Sequence, residues 1–337
     1  MKSDGPIDLV VPWCDAADTV WAANKDAFAR RLGLPVGDEA NAVCRFAGND
    51  DLKHALRSFE LFVPWVRKVF LLIADDATPP AWLRTDHPRL EIVRHGAFIP
   101  ASALPTYSAD TIEHHLARIP GLAPRFLFAN DDTLFYRPTS SAFFFARDGY
   151  PIFRFGAVKP DLPEEDKTVF RRTIDRAVEL IRAVCPSANR ALAKALPRMS
   201  HHCIDAYVTA DYAECRARYA SAIDPTIGTH FRSAAAVNRV LYAYDALARG
   251  HGHYRLARFR HLECRAWWKR LLRPGYADTL CFVRERWRTG PAELAKWNPV
   301  CFCFNDTLGT TEDDRVWLRD VYAAMYPSPS SFEKGES

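Results

Sequence analysis

The stretch Arg125–Phe135, RFLFANDDTLF, decides how the rest of the chain is read. Phe126 to Ala129 form a short apolar run of the kind that makes a buried strand. The run stops at Asn130-Asp131-Asp132. Two adjacent carboxylates are costly to bury unless something pairs with them. At the carboxyl end of a strand in an open α/β sheet, that partner is often a ligand or a metal ion. Hard divalent cations take oxygen ligands of this type. Asn-Asp-Asp also makes ordinary turns, so the motif has to be weighed with its surroundings.

Three other apolar runs share its design. Ile7 to Trp13 (IDLVVPW) ends at Cys14-Asp15, Val66 to Ala74 at Asp75-Asp76, and Val300 to Phe304 (VCFCF) at Asn305-Asp306. As neighbouring strands they bring acidic ends to one edge of a sheet, where α/β folds place their sites. Helical patterns alternate with these runs. Ala16 to Leu34 is alanine-rich and polar. Asn49 or Asp50 caps a helix with Leu52, Ala55, Leu56, Phe59 and Val63 on one face, ended by Pro64. Glu91–Arg94 reads as a strand, and Ser108 or Asp110 caps a helix over Thr111–Arg118. This alternation predicts an α/β fold with a mainly parallel central sheet covered by helices.

After Pro160 the pattern becomes helical and basic. Lys167 to Leu196 is amphipathic and broken at Pro186, a second helical stretch follows His201-His202, and another spans Ser233–Leu247. Residues 160–225 are expected to form a helical insertion within a single catalytic domain, 1–337. Residues 255–298, rich in arginine and tryptophan, show no period; they suit glycan or acceptor binding, or packing. Val300–Phe304 is the last strand, and Glu312–Met325 a final helix.

The chain has 337 residues, 48% hydrophobic and 26% charged, enough for a substantial core. A formal net charge of +4 is too slight to imply nucleic acid. No apolar stretch reaches the roughly 18–20 residues of a membrane span. MKSDGPIDLV lacks the regions of a signal peptide. The nine cysteines include no CxxC pair, and the histidines and cysteines lack zinc-site spacing, which speaks against a zinc protein. Cys301 and Cys303 read as core thiols. The expectation is a reduced, cytoplasmic protein without an integral membrane segment; peripheral contact with the inner face of the membrane fits it as well.

An ordered series of motifs resembles the Stealth family of sugar-phosphate transferases. It comprises IDLVVPWCD (Ile7–Asp15); RFAGNDDLKHALRSFE, PWVRKVFLL, PPAWL, LPTYSADTIE, RIPGL and FANDD between Arg45 and Asp132; SHHCIDAY and HFRSAAAVNRVLYAY; and CFNDT with YPSPSSFEK. The sequence departs from the family at Gly48, where an acidic residue is usual. It departs again at Ser108-Ala109, in place of asparagine-serine, and at adjacent His201-His202, in place of histidines spaced three apart.

The resemblance implies a nucleotide-sugar-transferase-like fold and a defined reaction. A sugar-1-phosphate passes from a nucleotide sugar, UDP-GlcNAc or similar, to a hydroxyl of a glycan or other acceptor. A nucleoside monophosphate leaves, in capsule or exopolysaccharide synthesis. Such a step depends on positioning and charge neutralisation. Mg²⁺ (or Mn²⁺) is the implied cofactor, held by Asp131, Asp132, Asn305 and Asp306. Asp132 and Glu113 match family active-site positions. His202 suits the proton acceptor, with Asp205 on the same face if the segment is helical.

Arg232 suits bidentate phosphate binding. The remaining substrate-binding candidates are Asp8, Trp13, Asp15, Arg45, Asn49, Asp50, Arg57 and His201. Asp8 carries a charge inside a strand, which is costly without a partner. Arg57 lies two helical turns from Asp50 and fits phosphate binding or an ion pair; Arg45 has the same two readings. Trp13 fits base stacking or the core. A glycosyltransferase with the same acidic motifs, releasing a nucleoside diphosphate, is the competing enzyme reading. An inactive nucleotide-sugar- or glycan-binding protein is the competing class.

Overall fold

A computed structural model describes residues 5–34, 43–202, 204–257 and 277–335. The strands, in chain order, are β1 (Ile7–Pro12), β2 (Val69–Ile73), β3 (Leu90–Arg94), β4 (Arg125–Phe128), β5 (Thr133–Phe135), β6 (Ile152–Val158), β7 (Arg198–Ser200), β8 (Asp205–Val208), β9 (His253–Leu256), β10 (Thr279–Val283) and β11 (Cys301–Asn305). A five-stranded sheet runs in the order β3-β2-β1-β4-β8. Its first four strands are mutually parallel, and β8 is antiparallel to β4. The α/β fold with a mainly parallel, helix-covered sheet is therefore as expected.

The apolar runs work because both faces of the sheet are covered. Alternate residues face opposite sides. Leu9, Val11, Leu71, Ile73 and Leu127 join one buried cluster with Leu56 and Phe59 of the Asp51–Phe62 helix and Leu318 and Tyr322 of the Glu312–Met325 helix. Val10, Phe70, Leu72, Phe126 and Phe128 join the other, with Ile174 and Ile181 of the Val169–Val184 helix and Leu241 of the Val240–Ala248 helix. Fully burying each such side chain contributes about 1.5–3 kcal/mol. The long helix shows why the 167–184 pattern is periodic: Ile174, Ala177, Val178 and Ile181 form its buried stripe.

Three expectations are corrected. The Val300 run is not in the central sheet. β11 pairs with β10 in parallel and with β5 antiparallel in a separate three-stranded sheet. The edge of β4 away from β1 is taken by β8. Second, the segment after His201-His202 first extends as β8 and only then becomes the Thr209–Arg218 helix. The stretch 160–225 thus includes a strand of the central sheet. Third, the 111–118 helix is the shorter Ala109–Glu113 followed by a 3-10 turn at Leu116–Arg118. Of the tryptophan- and arginine-rich region, 258–276 lies outside the described residues. No described helix is long and apolar enough to cross a membrane.

Candidate active-site cleft

The Asn130-Asp131-Asp132 turn is the passage between two sheets. β4 ends, Thr133 N donates to Asn130 O at 3.1 Å, and the chain enters β5. β5 pairs with β11 in the register Thr133↔Cys303, which sets Asp132 beside the end of β11 that carries Asn305-Asp306. A cleft of about 1000 Å³ opens there. It receives Asp131, Asp132, Asn305 and Asp306 from this junction, Asn49 and Asp51 from the start of the Asp51–Phe62 helix, and Glu113 from its own short helix. Trp13, Arg45, His201, His202 and Arg232 also line it. Asp132 and Asp306 both line this cleft, but their strands belong to different sheets, so the expected single sheet edge is not what brings them together.

The electrostatics follow from crowding. Burial, then the charges of Asp132 and Asp51, push Asp131 well above the ordinary carboxylate range. Burial raises Asp132 too, while the His202 imidazole draws it down. Asp51, which was not anticipated, is pushed up to about 7 by burial and by the Asp132 charge. Its Oδ2 accepts from Asn49 N at 2.9 Å. Asp306 is held by Arg315, which also donates to Asn49 Oδ1 at 3.2 Å. Asp306 Oδ1 is buried with no hydrogen-bond partner. Asp131, Asp132, Asp51 and Asp306 thus share one cleft, with buried oxygens on Asp51 and Asp306 that lack a hydrogen-bond partner; their donor type suits a hard divalent cation, but as placed no three of these carboxylates come within 4.8 Å of one another.

On the facing wall, Arg239 is a second residue that the sequence reading missed. Its Nη1 donates to Asp205 Oδ2 at 2.5 Å and to Tyr207 Oη at 2.6 Å, and its Nε lies 3.3 Å from Glu113 Oε2. Its guanidinium also stacks 4.1 Å from the Phe128 ring. Arg239 thereby holds Glu113, which burial pushes up and Arg239 and Arg232 hold down. Asp205 therefore serves Arg239. The expected Asp205–His202 pairing is absent, because β8 is extended and a strand has no i, i+3 face. His202 is exposed in the cleft. His201 is buried, and burial followed by the His202 charge brings its pKa down to about 3.

Arg232 differs from its neighbours. Among the described residues it makes no hydrogen bond or ion pair, yet it is half-buried and lines the cleft. The turn that delivers it is fixed by His230, in the left-handed region at φ 61°, with Nδ1 2.7 Å from Pro105 O.

Other candidates are accounted for elsewhere. Asp8 is fully buried and satisfied: Arg67 donates from Nε at 2.8 Å and Nη2 at 2.6 Å, and Ala123 N at 2.7 Å. It lies near the amino end of β1, away from the cleft. Arg57 does not share a side with Asp50. It grips Glu333 through Nε at 2.7 Å and Nη2 at 2.6 Å and donates to Tyr326 O at 2.6 Å. Asp50 is exposed outside the cleft, in the left-handed region at φ 60°. Asp15 accepts from Ala17 N at 2.8 Å, and Asp75 from Gly96 N at 3.0 Å. Asp15 is used in a local turn, and Asp75 ties the end of β2 to the 3-10 turn that follows β3.

Arg57→Ala is expected to destabilise the fold by about 3 kcal/mol, because it leaves the buried Glu333 carboxylate without its fork. Urea midpoints with unchanged slope will read this loss, and ligand affinity measured on the folded variant should match the parent. Lost affinity with unchanged stability contradicts the assignment.

Asp110 supplies a second test. It is buried beside Glu113, one oxygen lacks a hydrogen-bond partner, and its pKa is pushed up to about 7 by burial, then by the Glu113 charge. A folded pKa above the unfolded value, near 3.9, means that stability is present at low pH and lost as pH rises through about 7. Asp110→Asn should therefore raise stability at pH 8 by about 2–4 kcal/mol and change it little at pH 4. Denaturation at the two pH values checks the sign, and a loss at pH 8 would contradict the burial argument.

Fold and cleft define an α/β protein whose acid-rich site opens where parallel strands end, the arrangement of a ligand-binding enzyme site. Residues 45–153 match the model of "Stealth protein CR2, conserved region 2". The chain is 32% identical over 337 residues to exopolysaccharide phosphotransferase SCO6023 of Streptomyces coelicolor, covering 98% of this chain and 53% of that protein. It is 43% identical over 148 residues to exopolysaccharide phosphotransferase CpsY of Mycobacterium tuberculosis, covering 44% of this chain and 27% of that protein. Residues 45–153 thus carry the Stealth conserved region 2, and the similarity to the Streptomyces relative extends along the chain. The chain spans about half the length of that relative. Among solved structures, galactosyltransferase LgtC in complex with donor and acceptor sugar analogues aligns over 96% of both chains, at 11% identity and a TM-score of 0.42.

Proposed function

We propose that the chain is a phosphotransferase that moves a sugar-1-phosphate from a nucleotide sugar, UDP-GlcNAc or a close analogue, to a glycan or other acceptor hydroxyl, releasing a nucleoside monophosphate. The observation that carries the reading is one cleft holding both a crowded carboxylate set and the unpartnered Arg232 guanidinium. A diphosphate needs both: a cation on one side and a bidentate donor on the other. The Stealth conserved region and the names of the relatives support the same reaction class. Capsule or exopolysaccharide synthesis is the proposed setting. The cytoplasm is the proposed compartment, in keeping with seven free cysteines among the described residues. Residues 1–337 are proposed to act as one catalytic domain.

Asp131, Asp132, Asn305 and Asp306 would hold Mg²⁺ or Mn²⁺. The ion, when bound, supplies charge neutralisation at the diphosphate. Arg232 holds phosphate oxygens through its fork. His202, exposed in the cleft, takes the proton of the attacking hydroxyl, and His201 lines the same cleft on the substrate side. Glu113, fixed by Arg239, orients the acceptor. The acceptor oxygen forms a bond to the phosphorus that bears the sugar, and the bridging bond to the nucleoside phosphate breaks. The electron pair leaves with the monophosphate. Trp13, Arg45 and Asn49 complete the donor wall.

A panel of nucleotide sugars, incubated with the protein, Mg²⁺ and a hydroxyl acceptor, tests the reading. Release of a nucleoside monophosphate is expected. A nucleoside diphosphate places the chain among glycosyltransferases.

A further inference from the structure

Cys281 and Cys303 are directly opposite each other on the parallel strands β10 and β11, and their sulfurs lie 3.2 Å apart. His202 reaches the same point from the loop between β7 and β8. Its ring nitrogen and the two sulfurs all lie within 4.8 Å of one another. His202 and Cys281 line the cleft, and His202 has no hydrogen-bond partner among the described residues.

We propose that His202, Cys281 and Cys303 form a binding site for a thiophilic divalent cation, with Zn²⁺ as the natural occupant and a fourth position open to the cleft. Three protein ligands with one open position, including a Cys₂His set, is an established zinc arrangement. Two sulfurs on a tetrahedral zinc sit about 3.8 Å apart, given Zn–S bonds of about 2.3 Å. The two sulfurs need separate by about 0.6 Å from their present 3.2 Å, and the exposed imidazole swings in. Binding replaces the thiol–thiol hydrogen bond and releases the two thiol protons to solvent. The cleft then sorts metals by softness: oxygens at Asp131, Asp132 and Asp306 take a hard ion, and sulfur and imidazole take a soft one. The three ligands lie at 202, 281 and 303, so sheet register assembles them and no local sequence spacing reveals them.

A metal-bound His202 has no free lone pair, so the cation and the acceptor proton compete for it, and the transferase step needs this site empty. The site does not otherwise rest on the transferase reading, and its test reads the metal directly. The full chain is titrated with Co²⁺ under a non-chelating phosphine reductant. One equivalent should bind with thiolate-to-cobalt charge-transfer absorption, and Zn²⁺ should bleach it. Cys281→Ser and Cys303→Ser should each lose much of that absorption. His202→Gln, on an exposed side chain that folding does not need, should weaken binding by about tenfold or more, since removing even an outer-shell partner costs about that. Asp132→Asn should leave the absorption in place. Cobalt binding without charge-transfer absorption, absorption unchanged in both cysteine variants and in His202→Gln, or displacement by millimolar Mg²⁺ overturns the proposal.

Discussion

Asp132→Asn is expected to lower turnover by about 10²–10³-fold, the cost typical of removing one preorganised electrostatic group from a reacting centre. Asparagine keeps the shape and hydrogen-bonding size of the residue but removes the charge opposite the donor's diphosphate. A neutral amide is also a poorer ligand for a hard cation. The fold should not suffer. Burial holds Asp132 above its ordinary range, so its ionised form costs stability as pH rises through the folded pKa. Without metal, the variant at pH 8 should therefore unfold at the same temperature as the parent or higher. Added Mg²⁺ should raise the parent's midpoint more than the variant's. Full turnover in the variant removes Asp132 from the chemistry. Lost turnover together with a fall in stability would make Asp132 a structural residue.

Arg232→Lys is expected to lower kcat/KM by about 10–100-fold, because lysine keeps the charge but cannot make the planar two-point contact with phosphate. Arg232 makes no hydrogen bond or ion pair among the described residues, and lysine keeps its charge near Asp110 and Glu113, so stability should change by no more than about 0.5 kcal/mol. Arg239→Lys is the contrast. Arg239 is tied to Asp205, Tyr207 and Glu113, and its substitution should cost stability as well as activity. Parallel kinetics and urea melts on the two variants separate a substrate contact from a scaffold contact. An Arg232→Lys enzyme as active as the parent would make this residue a bystander.

The sequence carried the local part of the account well. The apolar runs at Ile7, Val66 and Arg125 are buried strands because helices cover both faces of their sheet. The Asp51–Phe62 helix shows the expected apolar stripe. The acidic turn after β4 sits in the cleft because the chain changes sheets there, a global fact that the motif only hinted at. What sequence could not convey was partnership across long separations. The charge at Asp8 looked functional until Arg67 and Ala123 closed around it. Arg57 had the spacing to reach the site, but the tail residue Glu333 claims it. His202 and Asp205 looked like helical neighbours, and β8 turned them apart. The Cys281–Cys303 pair depends wholly on strand register, which neither segment encodes alone.

The identity of the bond made is the most direct test. A nucleotide sugar labelled with ¹⁷O or ¹⁸O in the sugar-bearing phosphate is incubated with acceptor and Mg²⁺, and the purified acceptor product is read by ³¹P NMR and mass. The account predicts a phosphodiester signal in the product, with the label retained between sugar and acceptor. A product that carries the sugar without phosphorus contradicts it.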